Sequence, residues 1–68
     1  MSKGKVKYFN DVKGWGIIMC DDSDQDVYVH HSAINMQGYR TLREGQEVLC
    51  DVSQTDQGLK ARNVTLIS

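Results

Sequence analysis

Proline is absent from this 68-residue chain, which also has only one tryptophan, one phenylalanine and two cysteines. Without proline, one device for stiffening loops and guarding sheet edges is missing. Cys20 and Cys50 are too far apart for a C-x-x-C pair or a zinc-ligand spacing. Each alternates with apolar residues, Ile18 before Cys20 and Val48 and Val52 around Cys50. That pattern reads as buried free thiols behaving as small hydrophobes. No apolar run approaches the roughly 20 residues that span a bilayer. The early lysines precede no apolar segment of a signal peptide. The expectation is a cytoplasmic protein that does not engage membranes. Repeats, low-complexity tracts and amphipathic helices of useful length are also missing. The net charge is −1, from 8 basic and 9 acidic residues. It lacks the basic excess usual in a phosphate binder.

Catalytic and metal chemistry are equally poorly supplied. The acidic stretch 21–26 lacks the glycine and terminal glutamate of a calcium loop. His30 and His31 are adjacent, and neighbours on a strand point to opposite faces, so one cation would not take both. No third ligand is suitably spaced. Two histidines and two cysteines on a flat sheet supply no nucleophile, base and orienting group in one pocket. The reading is a protein with no catalytic residues, no metal, no cofactor and no small-molecule substrate.

What remains is short strands. Hydrophobic residues make up 40% of the chain, enough for one compact core. A domain this small buries only roughly 60% of its unfolded surface, so its stability should be modest. The whole chain, 1–68, reads as a single domain. Strands are expected over 3–10, 15–20, 26–31, 46–53 and 59–67, separated by turns at 11–14, 21–25 and 54–58. A single helical turn is expected at 32–35, capped by Ser32, with Ile34 plugging the barrel end. A long connection over 36–45 is anchored by Leu42. A change of parity between Ala61 and Val64 points to a bulge near Arg62-Asn63. Five short strands must close on themselves to avoid exposed edges. The expected fold is therefore all-β, a small five-stranded antiparallel barrel.

The stretch 13–31 organises the rest. Alternation puts Trp15 and Ile17 on one face of their strand and Gly16 and Ile18 on the other. It puts Tyr28 and His30 on one face of the next, with Val27 and Val29 behind them. One side is aliphatic, as a core requires. The other carries an indole, a phenol and an imidazole, with Lys13 at the edge. Flat rings beside a cation make a platform on which nucleobases stack. The charge is segregated as well. Lys3, Lys5, Lys7 and Lys13 come early, Lys60 and Arg62 late, and Asp21, Asp22, Asp24 and Asp26 share one turn. In the first strand Val6 points inward. Strict alternation would send Tyr8 inward too and Phe9 outward, unless a bulge intervenes, so their facing stays open at this level.

The segments Lys5-Val6-Lys7-Tyr8-Phe9-Asn10, Lys13-Gly14-Trp15-Gly16-Ile17-Ile18 and Val27-Tyr28-Val29-His30-His31-Ser32-Ala33-Ile34 resemble the bacterial cold-shock proteins. So do Gly38-Tyr39-Arg40-Thr41-Leu42, Glu44-Gly45-Gln46 and Ala61-Arg62-Asn63-Val64. The resemblance covers essentially the whole chain in the right order. It implies a five-stranded OB-type barrel that binds single-stranded RNA and DNA, without catalysis, as an RNA chaperone or cold-shock-type regulator. It places stacking rings on Tyr8, Trp15, Tyr28, His30 and Phe9, with Tyr39 in the long connection. Backbone contacts fall on Lys7, Lys13 and Lys60. Ile17 and His31 occupy positions where the family usually has phenylalanine, and Tyr8 one where it usually has tryptophan. The analogy turns Tyr8 towards the binding face. The protein is expected to be a monomer. A second reading stays open: a protein-interaction OB module with little residual nucleic acid affinity, favoured by Ile17, the acidic turn and the low net charge.

Overall fold

The computed structural model describes residues 2–21 and 25–67. Asp22, Ser23 and Asp24 of the acidic turn lie outside the described residues. Five strands form a closed barrel: β1 (Ser2–Asn10), β2 (Trp15–Cys20), β3 (Asp26–His30), β4 (Glu47–Thr55) and β5 (Gly58–Leu66). Their order around the barrel is β1-β2-β3-β5-β4. The expected all-β barrel is found, with one amendment to its antiparallel character. β3 and β5 run parallel, whereas the other pairings are antiparallel. Directions that alternate around a ring of five cannot close, so one neighbouring pair must run the same way.

The strands form where the sequence alternates. Val6, Ile18, Val27, Val29, Val48, Cys50 and Val64 are at most 2% exposed and fill the interior. Ile34 and Leu42 close the core as expected, at 2% and 3% exposure. Ile34 follows a 3-10 turn over His31–Ala33, one residue earlier than the expected turn. Both thiols are buried, and neither is part of a disulfide.

Two bulges set which side chains leave the core. In β1 the register shifts between Val6 and Tyr8, which pair with Ile18 and Ile17. The extra residue, Lys7, reverses the parity that strict alternation predicts. Tyr8 turns outward, and Phe9 turns inward opposite Gly16. A Cβ on Gly16 would overlap the Tyr8 carbonyl oxygen and stand 2.6 Å from the Phe9 ring. Only glycine lets the two strands approach this closely. In β5 the pairing steps from Leu49↔Thr65 to Asp51↔Arg62. That is the expected bulge at Arg62-Asn63, with Asn63 at φ 53°.

Candidate nucleic-acid interface

Cross-strand partners on a barrel share a face. Tyr8 pairs with Ile17, Ile17 with Tyr28, and Tyr28 with Lys60. One row therefore crosses four strands on the outer surface. A second row runs Asn10, Trp15, His30. The two rows touch. The Trp15 ring stacks beside Tyr28, with centroids 6.0 Å apart and planes 24° apart. Tyr8 meets Trp15 edge to face at 5.7 Å and 74°. Lys60 Nζ lies 5.8 Å from the Tyr28 ring centre, within reach of a cation–π attraction. Tyr8 is 43% exposed, and Trp15 and Tyr28 are half-buried. The rings rest on the barrel and keep a face in water.

Hydrogen bonds hold the platform's edge. Asn10 Nδ2 donates to Tyr8 Oη at 3.3 Å, and Asn10 Oδ1 accepts from the Lys13 amide at 2.9 Å. The turn closes through Gly14 N–H to the Asn10 carbonyl at 2.8 Å, and Gly14 takes φ 76° there. The Ser32 amide donates to His30 Nδ1 at 3.3 Å, and Ser32 Oγ lies 2.9 Å from the same nitrogen. Nδ1 thus acts as an acceptor, which puts the proton of neutral His30 on Nε2.

His31 departs from the expected geometry. Strand alternation would set its ring opposite His30, yet the two ring centres are 4.3 Å apart. β3 ends at His30 and the chain turns, so the alternation stops there. Its amide donates to the Gly14 carbonyl at 2.9 Å, seating the ring over the bare Cα of Gly14. Among the described residues no three His, Cys, Asp or Glu side chains gather as metal ligands.

The remaining expected residues fall in three places. Lys13, His31 and Tyr39 line a cleft of about 400 Å³ at one end of the platform, together with Arg40. Tyr39 is 69% exposed, and its Oη donates to the Asp11 carbonyl at 2.8 Å. Thr41 Oγ1 bonds the Asp11 carboxylate, so the long connection is tied to the β1–β2 turn. Lys7 forms an exposed ion pair with Asp26 at 3.3 Å. Such a pair is worth little in water and yields readily to a phosphate. Phe9 stands apart, half-buried and packed against the core. Asn10 and Arg40 were not singled out by the sequence. Arg40 carried a signal, as a cation next to Tyr39. The role of Asn10 appears only once the bulge has turned Tyr8 towards it.

Comparison with known proteins agrees with this architecture. The family model of the 'Cold-shock' DNA-binding domain matches residues 2–67. The cold shock-like protein CspA of Stigmatella aurantiaca is 54% identical over 67 residues, covering 98% of each chain. The cold shock protein ScoF of Streptomyces coelicolor is 49% identical over 65 residues, covering 96% of this chain and 97% of its own. Among solved structures, drosophila Unr CSD456 superposes with a TM-score of 0.81 at 16% identity, over 98% of this chain and 26% of that one. At that identity the likeness is one of fold. A barrel with rings along three adjoining strands, matched nearly end to end by bacterial cold shock proteins, leaves one assignment: this chain belongs to the cold-shock domain family.

Proposed function

We propose that this chain binds single-stranded RNA and DNA by stacking bases on Tyr8, Trp15, Tyr28 and His30. Lys13, Lys60 and Lys7 attract the phosphates. The observation that carries the reading is the contact of Tyr8, Trp15 and Tyr28 as one outward cluster with Lys60 at its border. Every base has a π face, so such a platform tolerates sequence. A protein of this kind holds RNA unpaired without chemistry, as a chaperone does. It acts as a monomer, in the cytoplasm, where buried thiols such as Cys20 and Cys50 stay reduced. No helix among the described residues is long and apolar enough to cross a membrane.

The single tryptophan lies inside the cluster and reports on it directly. Oligothymidine should quench Trp15 fluorescence saturably. Tyr28→Ala keeps the reporter and removes one stacking surface worth roughly 1–3 kcal/mol. It should weaken binding about tenfold. Absence of quenching in the parent protein would refute the platform and leave the protein-interaction reading.

A further inference from the structure

A second cleft, of about 630 Å³, opens beside the platform where β3 and β5 part. Among the described residues the two strands pair at Tyr28↔Lys60 alone. The next bridge to β5 is Ile34↔Val64, beyond the end of β3, and between these points the chain parts from β5 around its bulge. The lining has a chemistry of its own. Lys60 and Arg62 supply two cations, with Asn35, Ser53, Thr55 and Asn63 around them. Among the described residues no carboxylate lines it, in a chain that carries 9 acidic residues. Asp51, the register partner of Arg62, binds Asn63 Nδ2 at 3.0 Å. Ala61 between the two cations is buried, so Lys60 and Arg62 project from the same side of β5. Residues two apart on a strand are separated by roughly 6.6 Å, a spacing suited to successive phosphates of an extended strand. Tyr28 and His30 form the cleft's border with the platform.

We infer that this cleft is a backbone subsite, taking the sugar–phosphate chain of a nucleic acid strand as it leaves the Tyr28 ring. Arg62 and Lys60 hold consecutive phosphates there, and Ser53 and Asn35 donate to their oxygens. The bound strand then follows the barrel from the ring rows towards β5. This rests on the stacking platform of the previous section, and it adds a direction and a length to the site. Short oligonucleotides occupy the rings alone, and longer ones also reach Arg62.

Oligothymidines of about three and about eight nucleotides, one below and one within the roughly 4–16 nucleotides usual for such barrels, separate the two claims through Trp15 quenching. Arg62 is exposed, and Arg62→Ala should leave the melting temperature unchanged. The variant should bind the long oligomer roughly three- to tenfold more weakly and the short one as before. Its salt slope on the long oligomer should fall by about 0.7, the value for one single-strand phosphate. Equal affinity of Arg62→Ala and parent for the long oligomer, while Tyr28→Ala weakens both lengths, overturns the subsite and leaves the platform standing. Loss of quenching with every oligomer in the parent overturns both.

Discussion

Ile17 lies between Tyr8 and Tyr28 in register, and unlike its neighbours it has no π face. Its side chain is half-buried on the outer surface, so a larger group has room to spread over the adjoining rings. Ile17→Phe should add one stacking surface, worth roughly 1–3 kcal/mol. The expected result is about tenfold tighter binding of oligothymidine by Trp15 quenching, with the melting temperature little changed. Unaltered affinity would mean that bases do not sit over this row. The facing of individual residues was legible here to the extent that alternation governs them. Trp15, Tyr28 and His30 sit within unbroken strand, and a period of two assigns their side. The facing of His31 departs from that rule because the period ends one residue earlier, and nothing in two adjacent histidines marks that end. The facing of Phe9 and Tyr8 is ambiguous in the sequence for another reason. Tyr8 pairs an apolar ring with a polar tip and Phe9 is an apolar ring of the same shape, so either can line the inside of a barrel wall.

The same contrast governs the strands. The β5 bulge was legible because the residues on either side of it, Ala61 and Val64, are apolar and buried, so the slip in parity shows in the hydrophobic pattern. The β1 bulge was not, since the residues after Lys7 are the two ambiguous rings. The parallel β3–β5 pairing also lies outside any local pattern; it follows from closing five strands into a ring. The β5 bulge depends on Asn63, which holds a left-handed backbone at φ 53° and donates to Asp51 at 3.0 Å. Left-handed backbone is disfavoured by roughly 1–2 kcal/mol for most L residues, and asparagine tolerates it. Asn63→Val should therefore destabilise the barrel by about 2 kcal/mol, a fall in melting temperature of roughly 4–8 °C per kcal/mol. Asn63→Gly relieves the backbone but loses the bond, and should cost less. Equal losses in the two variants would mean that the carboxylate bond, and not the backbone, holds the bulge.

At the scale of the molecule, the interior is narrow and built from small β-branched side chains, and it encloses Cys50 without solvent access. Burial first, and then the neighbouring Cys20 thiol, push the Cys50 thiol from 9.0 up to about 11. A thiol held neutral in the fold ionises more readily once the chain unfolds. The unfolded state then binds fewer protons than the native state between these values, so stability falls as pH rises. Stability is complete with respect to this group below pH 9 and declines across the interval to about 11. With about 1.4 kcal/mol for each pH unit, the loss is on the order of 2–3 kcal/mol. Lys3 adds to the alkaline loss, because its bond to Glu47 at 3.1 Å raises its own titration. The Cys50 contribution is isolated by Cys50→Ala, which removes the titrating group and leaves Lys3 in place. Urea unfolding at pH 7, 9 and 11 should show a steep alkaline decline in the parent and a shallower one in the variant, whatever the variant's stability at pH 7. The same slope in both proteins would mean that the core admits the thiolate or water at Cys50, and that the barrel is looser at this end than its packing indicates.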